Sequence, residues 1–207
     1  MAEITAKAVN EFRKETGLGL MECKALLKEA DGDPKKAKTL AQERGKANAA
    51  KRADRVASAG RVEVYIHHDG KSGALVEVNC ETDFVARNEE FRQFAKDLAL
   101  HVVASNPLCV TREEMDPKIV EEQRRIFLVQ AEDKPENIRG KIAEGKINSW
   151  YGESVLLDQP FVKDPAKSVR EVMTEVNARC GENISVARFA RFIVGEHVAA
   201  EAPETEA

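Results

Sequence analysis

No stretch of this 207-residue chain approaches the roughly 20 consecutive apolar residues that cross a bilayer. Its first residues, Met1-Ala2-Glu3-Ile4-Thr5-Ala6-Lys7, lack the apolar run of a secretory signal, so a cytoplasmic setting is expected. Only four cysteines are present, Cys23, Cys80, Cys109 and Cys180, and no two are spaced as Cys-x-x-Cys. That argues against a zinc site and a disulfide framework, and leaves reduced, mostly buried thiols. Phosphate-loop glycines, a nucleophile-base pair and a metal-ligand cluster are all missing, so the chain reads as a non-enzyme without a cofactor. His67 and His68 are adjacent, but neighbours in a strand point to opposite faces and do not make a metal pair.

A strong basic bias is missing too. Residues 1 to 60 hold 13 Lys+Arg against 9 Asp+Glu, and the remainder 19 against 27, which gives about +4 and −8. This falls short of the dense basic stripe of a nucleic-acid binder. Residues 46–60 carry Lys46, Lys51, Arg52 and Arg55 among alanines with no interleaved aromatic. They read as a solvated linker, with an RNA-binding tract as the alternative. Ala199 to Glu206 is acidic and polar with nothing large to pack, so residues 197–207 read as a disordered acidic tail.

What is there suits a globular protein: 43% hydrophobic and 33% charged residues, enough for one or two domains. Thr5 caps a first helix, stapled by Ile4 and Val9, and Thr16-Gly17 ends it. Leu20, Cys23, Leu27 and Ala30 form the inward stripe of a second helix, and Asp33-Pro34 starts a third. Helices this short must hold one another, so residues 1–45 are expected to form a three-helix bundle. Met21 lies opposite the stripe at 100° per residue, either as an incidental surface residue or as an anchor for a partner.

Residues 61–196 read as an α+β core: a small antiparallel sheet of about three strands packed with helices. Val62, Val64 and Ile66 alternate with polar residues, Asp69-Gly70 turns the chain, and Ala74, Val76, Val78 and Cys80 follow as the second arm of a hairpin. Asn88 caps a helix with the stripe Phe91, Phe94, Ala95, Leu98 and Val102. Helices are expected from Asp116-Pro117 and Lys134-Pro135, then irregular chain around Trp150 to Phe161, then a short helix through Val169 and Val176. Apart from Arg188 and Arg191, Ile184 to Val194 is apolar on both faces and predicts a buried strand completing the sheet. Between the hairpin and the next helix, Thr82-Asp83-Phe84-Val85 sets a large aromatic beside an acid in a loop. Phe84 is either a core plug or a wedge for a partner, and Asp83 either a turn residue or a contact.

Two separated stretches resemble the elongation factor Ts family. They are Val9-Asn10-Glu11-Phe12-Arg13-Lys14-Glu15-Thr16-Gly17-Leu18-Gly19-Leu20-Met21-Glu22-Cys23-Lys24 and Glu77-Val78-Asn79-Cys80-Glu81-Thr82-Asp83-Phe84-Val85-Ala86-Arg87. Leu156 to Asp164 and Arg188 to Glu196 match later family segments in collinear order. The resemblance implies a ubiquitin-associated-like three-helix domain, then an α+β core. It implies a guanine-nucleotide exchange factor that binds elongation factor Tu with GDP, promotes Mg²⁺ and GDP release, and stabilises the empty state until GTP binds. By the same resemblance Thr82, Asp83, Phe84 and Val85 intrude near the partner's nucleotide site and promote magnesium loss. Arg13, Leu20 and Met21 would grip its nucleotide-binding domain. A single core segment matches the family's short form, for which a homodimer and a 2:2 complex are expected, with neither membrane nor direct nucleic-acid contact. A ribosome- or RNA-associated adaptor using the basic linker is the alternative.

Overall fold

The computed structural model describes residues 4–52 and 54–196; residues 197–207, expected as an acidic tail, lie outside the described residues. The described residues form two compact units, one within Met1–Gly60, Asn79–Phe91 and Glu171–Ser185, the other within Arg61–Val78, Arg92–Arg170 and the described part of Val186–Ala207.

In the first unit, helix α1 (Ala6–Thr16) starts where the Thr5 hydroxyl accepts the Ala8 amide at 3.2 Å, as expected of a capping threonine. It stops at Gly17, whose φ of 70° suits only a residue without a β-carbon and whose N–H returns to Arg13 O at 2.8 Å. Helices α2 (Leu20–Glu29) and α3 (Pro34–Arg52) follow, with the Asp33 side chain capping α3 through the Lys35 amide at 2.9 Å. Val9, Phe12, Leu18, Cys23, Leu26, Leu27, Ala30 and Ala37 form their shared core, with Ile4, Leu40 and Ala41 against it. Helix α3 continues through Arg52, into the stretch read as a linker.

One residue of the predicted stripe departs from it. Leu20 is half exposed, and Leu26 is buried in its place. Cys23, Leu26, Leu27 and Ala30 centre the buried arc, which leaves Leu20 at its edge, on the first residue of the helix where no preceding turn covers it.

The second unit contains most of a three-stranded antiparallel sheet of order β1-β2-β5, from β1 (Ala59–Ile66), β2 (Ser72–Cys80) and β5 (Ser185–Ile193). The hairpin turns on Asp69, whose carboxylate accepts the Lys71 amide at 2.9 Å. Ala74, Val76, Val78 and Cys80 are buried as the alternation predicts. Val62, Val64 and Ile66 are exposed instead, and Glu63 between them is buried with Arg61 at 3.1 Å. Strand β5 completes the sheet, but on an edge and with Phe192 exposed, so the expectation of a wholly buried strand is corrected: among the described residues one face of this sheet is uncovered.

Helix α5 (Glu89–Ser105) buries the whole predicted stripe from Phe91 to Val102. Helices α6 (Pro117–Val129) and α7 (Glu136–Ser154) make an antiparallel hairpin fastened by Arg124–Glu144 at 3.2 Å and by Lys146 over the Phe127 ring. Trp150 and Tyr151 continue α7 rather than starting irregular chain. A short hairpin of β3 (Pro160–Phe161) and β4 (Asp164–Ser168), which no alternation announces, then leads to α8 (Val169–Cys180).

His101 of α5 is wholly buried in this unit. Its Nδ1 accepts the Val162 amide at 3.1 Å, so the proton sits on Nε2, which donates to Gln159 Oε1 at 2.9 Å. The Gln159 amide nitrogen donates to Ser105 O and Glu153 O. Burial holds the imidazole below its ordinary pKa, against the opposing pull of the Gln159 hydrogen bond.

Candidate functional site

Thr82 to Ala86 is a closely hydrogen-bonded surface segment of the first unit. Asp83–Ala86 is a one-turn helix, α4, where the sequence suggests a loop. So short a helix does not hold itself, because nucleation fixes several dihedrals for few bonds. Its support comes from Thr82, whose hydroxyl oxygen accepts the Val85 amide at 3.5 Å while its carbonyl accepts the Ala86 amide at 3.2 Å. Cys80 Sγ also donates to that carbonyl at 3.1 Å. Ala86 is buried and anchors the turn from below.

The side chains of this turn diverge. Phe84 is 81% exposed, so it is no core plug. Burying such a ring would be worth about 1.5–3 kcal/mol, which this position forgoes in the free chain. Asp83 pairs with Arg87 at 2.9 Å across one turn, both side chains in solvent. Val85 is half buried.

The N-terminal candidates fall in the same unit. Met21 is 77% exposed, on the side of α2 away from its core, and Leu20 is 48% exposed beside it. Arg13, in the last turn of α1, is exposed as well. Leu18 and Cys23 are buried on either side of the Gly19-Leu20-Met21 step and turn both side chains outward. The Arg179 side chain lies against Gly17 and reaches Glu90 at 4.0 Å, which ties the α1–α2 turn to the start of α5, six residues beyond Phe84.

Sequence reasoning missed the residues that hold Thr82. Glu182 Oε2 accepts the amides of Glu81 at 3.1 Å and Thr82 at 3.0 Å, and its Oε1 accepts the Thr82 hydroxyl at 2.6 Å. In return Glu81 Oε1 accepts the Asn183 amide at 2.7 Å, and the same carboxylate pairs with Arg55 at 3.4 Å. The Asn183 side chain closes the set on Arg55 O at 3.0 Å. About a hundred residues separate the two loops, so no periodicity carries this signal. Burial raises the thiol pKa of Cys80, and that of Cys180 to about 11, Glu182 being the next cause for Cys80 and Glu90 for Cys180. Both sulfurs beside this segment are therefore neutral at physiological pH.

Phe84, Leu20 and Met21 are thus large apolar side chains left exposed in the same unit. Among the described residues no group of His, Cys, Asp and Glu is placed to hold a metal ion. The sequence model of the family described as "Elongation factor TS" matches residues 33–196. The chain belongs to the elongation factor Ts family. The Elongation factor Ts of Finegoldia magna is 52% identical over 206 residues, covering 95% of this chain and 92% of that one. That of Geotalea daltonii is 52% identical over 195 residues, covering 93% and 90%. That of Geobacter sulfurreducens is 51% identical with the same coverage. Guanine-nucleotide exchange in translation elongation is the function that membership in the elongation factor Ts family carries. None of the described helices is long and apolar enough to cross a membrane.

Proposed function

We propose that the chain binds elongation factor Tu in the cytoplasm through Arg13, Leu20 and Met21, and that Phe84, set up by Thr82, Asp83 and Val85, loosens Mg²⁺ and GDP. No covalent bond is made or broken. The binding free energy favours the empty partner, and linkage requires nucleotide to weaken factor binding by the same ratio. A factor with equal affinity for both states would shift nothing. Phosphates in phosphate-loop proteins are held by backbone donors, a lysine and Mg²⁺, so an element that displaces the segment holding the ion removes much of the attraction. Phe84 enters an apolar crevice of the partner and recovers there the burial it lacks in the free chain. Asp83 engages polar groups next to it.

The observation that carries this reading is Phe84, 81% exposed on a turn capped by Thr82. Release of labelled GDP from elongation factor Tu, followed with the unaltered chain and with Phe84→Ala, tests it. The unaltered chain speeds release and the variant loses most of that effect while keeping its fold; unchanged acceleration by the variant contradicts the role of Phe84.

The open face of the sheet is assigned to a second copy of the chain. Val62, Val64, Ile66, Leu75 and Phe192 are all exposed on it, with Glu77 and Arg188 paired at 2.7 Å among them. An apolar patch rimmed by charge is the kind of surface that pairs with its own copy about a two-fold axis. The working assembly is then two factors with two partners.

A further inference from the structure

We propose that Glu182 is a positioning residue for exchange, acting through Phe84. The inference rests on the function proposed above and adds the group that fixes where the aromatic stands. The hydrogen bonds of Glu182 go to Glu81 and Thr82, not to Phe84 or to Arg13, Leu20 and Met21. Glu182 holds Thr82 by amide and hydroxyl together, and Thr82 is the cap without which a four-residue helix has no start. The Thr82 hydroxyl is used in both senses at once, donating to Glu182 Oε1 at 2.6 Å and accepting the Val85 amide at 3.5 Å. Turning its proton toward Glu182 leaves a lone pair aimed into α4, so the carboxylate selects the rotamer that caps the turn.

The clamp is reciprocal. Glu182 takes two amides of the segment before Phe84, and Glu81 takes the amide of Asn183, which follows Glu182. Each loop supplies the acceptor for the other's backbone, so neither moves alone. Bonds from neutral donors to a carboxylate are shorter and about twice as strong as neutral pairs. Gly181, at φ 76°, makes the turn that delivers Glu182 from the end of α8.

The functional consequence follows from ordering cost. If the turn frayed in the free chain, part of the affinity for the vacant partner would go into ordering it, and the maximal rate of release would fall. The encounter, made by Arg13, Leu20 and Met21, would be unaffected. Losing Glu182 therefore lowers the maximal rate and leaves the factor concentration at half-maximal rate in place. Loss of hydrogen bonds to a charged group corresponds to roughly a tenfold fall or more.

The test is GDP release from elongation factor Tu against factor concentration, with the unaltered chain, Glu182→Ala, Glu182→Gln, Phe84→Ala and the Glu182→Ala/Phe84→Ala double variant. Hydrogen exchange of the Glu81 and Thr82 amides is read in the free proteins. Glu182→Ala should fall about tenfold in maximal rate with an unmoved half-maximal concentration, and its two amides should exchange faster. Glu182→Gln, which keeps the shape and one acceptor oxygen, should fall between, and it carries the test if the alanine variant does not fold. The double variant should be slower than Phe84→Ala by far less than the Glu182→Ala effect, because Glu182 acts chiefly through that ring. A Glu182→Ala rate equal to the unaltered one, a double variant slower by the product of the single effects, or unchanged amide exchange would overturn the assignment. Failure of the unaltered chain to speed release would instead sink the proposed function, and the amide exchange would still report on the clamp.

Discussion

The Arg179 side chain lies so close to Gly17 that a β-carbon built on the glycine would stand 2.7 Å from Arg179 Cδ. Two constraints meet at that position: the left-handed φ of 70°, and the space occupied by an arginine that also reaches Glu90. Gly17→Ala should destabilise the chain by about 1–2 kcal/mol from backbone strain alone, plus whatever the displaced arginine adds. Denaturant midpoints of Gly17→Ala, Arg179→Ala and the double variant separate the two. We predict that the double variant recovers only the steric part; full recovery would mean the backbone at Gly17 is unstrained.

His101 makes stability depend on pH in a definite direction. Its folded pKa lies below the ordinary value of about 6.5, so between the two the unfolded chain carries a proton that the folded chain does not. The contribution is fully present above pH ~6.5 and is lost as pH falls toward the folded pKa. Protonating Nδ1 would also remove the acceptor for the Val162 amide. Stability by denaturant titration should therefore decline as pH falls below ~6.5, and a His101→Phe variant, less stable at pH 7, should decline less steeply over the same range. Parallel curves for the two proteins would contradict this.

Much of the scaffold was legible in the sequence, because local rules acted there unopposed. The stripe from Phe91 to Val102, the Thr5 and Asp33 caps and the run Ala74 to Cys80 are each set by spacing within a few turns or residues. Three features were not, for separate reasons. Alternation identified Val62, Val64 and Ile66 as a strand but not the face they occupy, since both sides of β1 carry plausible core residues once Glu63 pairs with Arg61. Leu20 fits the helical period, yet the first residue of a helix has no preceding turn to cover it. Glu182 owes its place to a contact across about a hundred residues, and period and propensity carry no signal of that range. At the candidate site, sequence pointed to Phe84 and Met21, left each with a structural alternative, and missed the clamp.

The exposed sheet face gives a prediction about assembly. Replacing Val64 or Phe192 by Asp places a charge where a second copy would lie, and burying an unpaired charge is too costly for the interface to tolerate. Sedimentation should show a dimer for the unaltered chain and a monomer of unchanged helix content for either variant. A monomeric unaltered chain at all concentrations would remove the assignment of this face.

A core substitution supplies the scale against which these effects are read. Phe91 is fully buried at the start of α5, and Phe91→Ala should cost about 3–5 kcal/mol in equilibrium unfolding. Phe84→Ala, at an 81% exposed position, should leave unfolding nearly unchanged and alter exchange instead. An unfolding loss at Phe84 comparable to that at Phe91 would mean its ring packs in the core.

The most direct measurement of the central claim is the dissociation constant of the chain for elongation factor Tu, taken once with the partner emptied of nucleotide and once with it saturated by GDP and Mg²⁺. The account predicts clearly tighter binding to the emptied partner, with the ratio matched by the weakening of GDP binding when the chain is present. Equal dissociation constants for the two forms would contradict it.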